Sequence, residues 1–274
     1  MEYKRKIGYT IDSSKETGLQ ALPQRKEVKD MLKVEKIVTN GKIRYKVEKG
    51  VTIKALENDF YVSDGNKKLV SNAETLFLIW NLPAKITCPY ATELCKISCY
   101  AIKAEINYPD CLPCRKRNFE FSKSDNFVDE MIAYIAIKLN NLKNGRKIIF
   151  RIHESGDFYN KAYFMKWLEI IRFFDGDTRI IFVCYTKSVR FLVNTDFASL
   201  KAFTVRFSIW EDTKETEKEI ARQLNLPIYT AYERSVIDDM LAKGIVFHEC
   251  RCSDCATCLK CFDREEKLIL CEIH

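Results

Sequence analysis

The chain has 274 residues, of which 47% are hydrophobic, 12% aromatic and 30% charged. That balance excludes a disordered or collagen-like chain and supplies apolar surface for one large domain with appendages. The unusual figures are twelve cysteines, three histidines and a formal net charge of +7.

Charges run through residues 1–20, and no apolar run approaches the roughly eighteen residues that span a bilayer. Neither a secretory leader nor a membrane contact is expected. The expected location is the cytoplasm, where thiols stay reduced, so many cysteines point to metal or redox chemistry. Residues 1–70 carry 16 Lys and Arg against 10 Asp and Glu, whereas residues 71–274 carry 29 against 28. The basic excess therefore sits in an N-terminal segment. Within it, Asn40-Gly41 between two alternating runs predicts a β-hairpin with a two-residue turn. Such a segment is either a solvated lysine-rich surface or a contact for nucleic acid or another polyanion.

From residue 75 onward, strand and helix patterns alternate. Strands are predicted at 76–80, 147–152, 179–185, 203–209, 228–232 and 244–249. Helical spacing covers 118–143, with Ser124 or Asp125 as a cap and Asn144-Gly145 as a stop. It returns at 160–174, near 189–200, at 212–224 with Asp212 or Thr213 capping, and at 234–243. Six strands with helices between them imply an α/β fold with a parallel sheet, either doubly wound or a barrel or partial barrel. In either form, functional groups collect at the C-terminal ends of the strands. Polar residues do follow the predicted strands. They are Cys88; then His153, Glu154, Ser155, Gly156 and Asp157; then Tyr185, Thr186, Lys187 and Ser188; then Arg206 and Ser208; and last His248, Glu249 and Cys250.

The cysteines fall into three groups. Cys88, Cys95 and Cys99 are spaced C-x6-C-x3-C, and one helical turn would put Cys95 and Cys99 on one face. Three thiolates without a fourth would hold a 4Fe-4S cluster with one iron open to a ligand. A zinc site completed from elsewhere, or three unrelated cysteines, are the alternatives. Cys252, Cys255, Cys258 and Cys261 lie in the run CRCSDCATCLKC, with Cys250 and Cys271 as substitutes. Fused C-x2-C spacings favour a second, closed 4Fe-4S cluster over zinc, whose knuckles are usually separated. Cys111 and Cys114 form a C-x-x-C pair without a strand-then-helix setting, so a redox pair, half a metal site and a transient disulfide all stay open. Cys184, inside a strand, reads as core.

Residues from about 65 to 265 resemble the phage "gene product 88" family of mobile-element proteins. The resemblance rests on Gly65-Asn66-Lys67-Lys68, on 80–105 and 151–170, on 185–188 and on the terminal cysteines. It implies a phage, prophage or plasmid origin, and Cys111 and Cys114 lie outside its pattern. The order of features is also similar to radical S-adenosylmethionine (SAM) enzymes. That resemblance implies a partial (β/α)6 barrel over 71–249 with an appended iron–sulfur segment over 250–274; the basic segment over 1–70, with its hairpin as a small β element, precedes them. It implies that Cys88, Cys95 and Cys99 hold the SAM-binding cluster, and that Ser155, Gly156, Asp157, Lys187, Ser188, Arg206 and Ser208 line the cofactor site. Two departures stand out: radical SAM loops are C-x3-C-x2-C, and Ser155-Gly156-Asp157 replaces a Gly-Gly-Glu-type motif. Asp157 has a plainer reading as the cap of the helix near 160, and His153 as a strand residue with a satisfied hydrogen bond.

Two functions follow. One is a radical SAM-like enzyme with an open and an auxiliary cluster. The other is a non-catalytic iron–sulfur or zinc protein that binds nucleic acid through its basic segment.

Overall fold

The computed structural model describes residues 32–56, 60–143, 145–251 and 254–272. The expectations that fall on residues 1–31, on Asn144 and on Cys252 lie outside them. β1 (Val34–Thr39) and β2 (Lys42–Val47) pair antiparallel across Asn40 and Gly41, at φ 50° and 73°. This is the predicted hairpin, and positive φ at both turn residues is what the dipeptide accommodates. Tyr45 anchors it. Its backbone exchanges hydrogen bonds with the Asn140 side chain, and its hydroxyl donates to Asp177 Oδ2 at 2.9 Å.

A one-turn helix, α1 (Ile53–Leu56), and a two-residue strand, β3 (Val62–Ser63), lead to β4 (Thr75–Trp80). Four helices follow: α2 (Glu93–Ile97), α3 (Tyr100–Asn107), α4 (Cys111–Lys123) and α5 (Phe127–Asn140). The predicted helix over 118–143 is thus two helices. The chain turns extended at Ser124 (ψ 154°), and Lys166 Nζ donates to the freed carbonyls of Ser122 and Ser124 at 3.0 and 2.8 Å.

Next come β5 (Lys147–Ile152), α6 (Lys161–Phe174), β6 (Ile180–Thr186) and β7 (Phe203–Ile209). Two 3-10 turns, Val189–Phe191 and Phe197–Ser199, stand where one short helix was predicted. α7 (Glu215–Gln223) is preceded by Lys214, and neither Asp212 nor Thr213 caps it. β8 (Ile228–Tyr232), α8 (Arg234–Ala242), β9 (His248–Cys250), the single turn α9 (Cys255–Cys258) and β10 (Leu268–Glu272) complete the chain.

Eight strands form one sheet in the order β3-β4-β5-β6-β7-β8-β10-β9. β3 is antiparallel to β4, and every other neighbouring pair is parallel. β4 to β8 lie side by side in chain order, without the reversal that marks a doubly wound sheet. The strand beside β8 is β10, not the predicted 244–249 strand. Of that stretch only His248 and Glu249 join the sheet, in the edge strand β9.

Alternation along the strands separates two faces. Leu78, Trp80, Phe150, Phe182 and Phe203 join the core formed with α5 and α6. Phe77, Ile79, Ile149 and Val183 face the other way and are covered by Ala256 and Phe262, with the Phe77 and Phe262 rings 5.8 Å apart. The cysteine-rich segment is therefore packed onto the sheet, and residues from Leu32 on form one compact unit. Among the described residues, no helix is long and apolar enough to cross a membrane.

Candidate functional site

The loops after β4 and β5 are stapled together by hydrogen bonds. Asn81 Oδ1 accepts from the Glu154 and Ser155 amides at 2.8 and 2.9 Å. The Leu82 amide donates to the Ser155 carbonyl at 3.0 Å, and Ser155 Oγ donates back to the Leu82 carbonyl at 2.8 Å. Gly156 makes this approach possible. At φ +83° an added Cβ would lie 2.6 Å from Thr87 Oγ1 and 2.7 Å from Leu82 Cβ. Its missing side chain thus makes room for the loop after β4.

Asp157 joins the same junction to β6. It is buried, and its carboxylate accepts from Thr186 Oγ1 (2.6 Å), the Lys187 amide (2.8 Å) and the Phe158 amide (2.7 Å). Burial pushes its carboxyl up, opposed by these donors and by the charge of Lys187. It does not cap α6. That role falls to Asn160, whose side chain accepts from the Tyr163 amide at 2.8 Å. Ser188 is buried too, and its Oγ donates to the Phe158 carbonyl at 2.9 Å. The polar atoms of Ser155, Asp157 and Ser188 are thus engaged in holding loops.

The first cysteine group sits against this junction. α2 carries Cys95. Its N-terminus is capped by Thr92, and the Leu94 amide donates to Asp212 Oδ2 at 2.9 Å. Cys99 lies beyond α2 and precedes α3, so the two do not share one helical turn as predicted. Burial pushes the Cys88 thiol up to about 12, with the Asp157 carboxylate and Cys95 adding to the shift and Lys187 opposing it. Burial also raises Cys95, while the charge and hydrogen bond of Lys187 pull it down and Cys99 pushes it up. Lys187 Nζ also donates to Ser208 Oγ at 2.9 Å. The structure thus brings together Cys88, Cys95, Cys99, Asp157 and Lys187, with Ser208 behind the lysine.

The second group gathers on the sheet face that α5 and α6 leave uncovered. Cys250 and Cys271 are register partners on β9 and β10. Cys250 also lies within hydrogen-bonding reach of Cys261. That bond comes first, followed by the Tyr185 hydroxyl and the Arg206 charge, in holding the Cys261 thiol down to about 7 against its burial. Cys271 moves the opposite way, pushed far up by its contact with Cys250 and by burial. Burial raises Cys255 as well, and Cys258 Sγ lies 3.4 Å from His248 Nε2. Cys250 thus joins Cys255, Cys258 and Cys261 from the predicted set.

Arg206 holds this segment down. It is fully buried, and it donates to four carbonyls, those of Lys260, Cys261, Asp263 and Glu266, at 2.5–3.0 Å. The guanidinium serves the cysteine segment, apart from the Lys187–Ser208 pair beside Cys95. Thr204 on the same strand donates to the Phe262 carbonyl at 3.1 Å.

Sequence reasoning gave no role to Arg151 and Tyr229, which flank Tyr185 between the two groups. The Arg151 guanidinium lies 4.7 Å from the Tyr185 ring centre, and Tyr185 meets Tyr229 edge-on at 4.9 Å. Tyr185 contacts Cys261, and Lys187, two residues along, contacts Cys95. Inward alternation along β6 was the available signal. The Gly65-Asn66 turn was singled out without a role. Asn66 accepts from the Lys68 and Leu69 amides and donates to Glu154, and the Lys68 carbonyl receives the Cys255 amide at 3.0 Å.

Among the described residues, no group of three or more His, Cys, Asp or Glu side chains is closed into a ready-made metal site. A cavity of about 570 Å³ is lined by Asn81, Cys111 and Cys114, and by none of Cys88, Cys95, Cys99, Asp157 or Ser208.

The fold and site define a mixed α/β protein whose large, mostly parallel sheet gathers cysteines on one face and at its strand ends. The chain belongs to a family described as "Gene product 88", whose model matches residues 60–264. It is 25% identical over 167 residues to the "Gene 88 protein" of Mycobacterium phage D29, covering 59% of this chain and 67% of that protein. No solved structure matches.

Proposed function

We propose that the protein is an iron–sulfur protein of radical SAM type, with an open cluster at Cys88, Cys95 and Cys99 and an auxiliary cluster in the C-terminal cysteine segment. The observation that carries this reading is at the end of β6. Tyr185 in that strand and Lys187 just past its end touch the second and the first cysteine group respectively. The unreversed order of the five strands β4 to β8 is shared with a partial (β/α)6 barrel, while β10 and not β9 takes the sixth place. The donor types suit a thiolate-held cluster, since Cys95 lies near both Cys88 and Cys99, and Cys255 near Cys250, Cys258 and Cys261, although no three of the described ligands are gathered into a metal site. An open 4Fe-4S cluster supplies an iron that S-adenosylmethionine chelates and an electron for its cleavage. Lys187 would meet the carboxylate of that cofactor or balance the charge of the thiolates, and Ser208 holds its ammonium in place.

Anaerobic purification followed by iron and sulfide analysis, then dithionite reduction with S-adenosylmethionine, tests the reading. Brown protein whose EPR signal shifts with S-adenosylmethionine and that releases 5′-deoxyadenosine supports it. A colourless protein carrying only zinc overturns it. The contact of Cys250 with both Cys261 and Cys271 makes zinc a real competitor, because sulfurs around one tetrahedral zinc sit only about 3.8 Å apart.

One observation favours the second reading, a metalloprotein that binds nucleic acid. Lys42, Arg44 and Lys46 alternate along the exposed face of β2, with Lys33 exposed near the start of the partner strand and Glu35 as the acid across from Lys46. Replacing the three with glutamate would weaken binding of a labelled oligonucleotide and flatten its salt dependence by about three ions. An unchanged slope removes this reading.

A further inference from the structure

The geometry points to Cys111 and Cys114 as a redox-active dithiol that exchanges with small-molecule disulfides in the cavity beside α4. This inference stands apart from either cluster.

The pair opens a helix. Cys111 is the first residue of the thirteen-residue α4, Pro113 the third and Cys114 the fourth. Proline is tolerated there because the first-turn amides have no partner within the helix. Helical residues three apart have Cα atoms about 5 Å apart, inside the range a disulfide spans. The first turn is fixed from below: Arg115 is buried, and it donates to the Ala101 carbonyl at 3.0 Å and to Glu105 Oε1 at 2.9 Å. The same Glu105 oxygen accepts from the Ala84 amide, so Arg115 and Glu105 tie α3, α4 and the loop leading to Cys88 together.

Both thiols line the cavity of about 570 Å³, a size suited to a small peptide-like molecule. The amide side chains on its wall are already committed. Asn66 bonds Glu154, Asn81 bonds the Glu154 and Ser155 amides, and Asn118 bonds the backbone of Tyr61 and Asn81. The two thiols are the nucleophiles on that wall. The guanidinium of Arg117 donates to Cys114 Sγ at 3.4 Å, whereas burial first, and then the Glu105 carboxylate, push the Cys111 thiol up against the charge of Arg115.

Cys114 therefore attacks. Its sulfur bonds to one sulfur of the disulfide R–S–S–R, the S–S bond breaks, and one RS⁻ leaves and takes a proton. Cys111 then attacks the Cys114 sulfur, gives up its own proton and expels the second RSH. Two electrons and two thiol hydrogens pass from the protein to the small disulfide, which departs as two thiols.

The test uses the full chain, reduced and then exposed to oxidised glutathione, followed by alkylation and peptide mapping. A Cys111–Cys114 disulfide, two hydrogens lighter and reversed by dithiothreitol, is expected. Cys111→Ser should accumulate glutathione on Cys114 at least about tenfold faster than Cys114→Ser accumulates it on Cys111. Two alkylated thiols after oxidised glutathione, or a faster reaction at Cys111, would overturn the proposal. Reading only the peptide of residues 111 and 114 separates this outcome from the metal content of the other cysteines.

Discussion

His153 shows how much one buried side chain can impose on the whole chain. It follows β5 at φ 66°, its Nε2 lies 2.9 Å from the Tyr163 hydroxyl, and its Nδ1 has no hydrogen-bond partner. Burial first, and then the charge of Arg151, hold its pKa down to about 3. The unfolded chain takes up a proton near pH 6.5 that the folded chain refuses until about pH 3. Stability from this residue is complete above pH 6.5 and falls by about 1.4 kcal/mol per unit as the pH drops below it. His153→Asn tolerates the positive φ and removes the titration. Urea unfolding should show the wild type losing about 2 kcal/mol more than the variant between pH 7 and pH 5, and parallel profiles would sink the idea. Gly156 makes a steric demand instead. Gly156→Ala must place a methyl group 2.6 Å from Thr87 Oγ1 at φ +83°, and a loss of about 3 kcal/mol or more is expected in thermal or urea unfolding. A loss under about 1 kcal/mol would mean the two loops part easily.

At the level of elements, Arg206 decides whether the cysteine segment stays on the sheet. A lysine ammonium cannot reach four carbonyls spread over residues 260–266, so Arg206→Lys leaves buried acceptors unpaired. Hydrogen exchange in residues 254–268 should then accelerate at least about tenfold, while α5 and α6 keep their protection. Uniform acceleration would show instead that the segment is not a separate cooperative unit. Arg206 also marks where the sequence stops being legible. β5, β7 and β8 have the predicted bounds, because short apolar runs between turn residues carry a local signal. The hairpin was legible for the same reason. β10 was not, since Leu268–Glu272 is a brief apolar run after a cysteine cluster and only pairing with β8 and β9 makes it a strand. Cysteine spacing proposed two groups, and the structure puts Cys95 near Cys88 and Cys99, and Cys255 near Cys250 and Cys258. It could not reveal that Cys250 would meet Cys261 and Cys271, nor that Arg206 would turn toward carbonyls, because those contacts come from distant elements.

For the molecule as a whole, β10 matters most. It sits between β8 and β9, so removing residues 267–274 strips β8 of its neighbour and leaves β9 with nothing to pair. The truncated chain is expected to expose the face that buries Ile269 and Leu270, and to elute as aggregate in size-exclusion chromatography. A monomeric, fully folded product would show that the sheet ends at β8. The same strand order governs how the protein can be made. β9 leaves the ribosome before the strand that joins it to the sheet, so Cys250 must wait for Cys271. The strand that supplies Cys250 with its register partner is thus the last of the described strands in chain order, and a chain that stops before residue 268 holds Cys250 without Cys271.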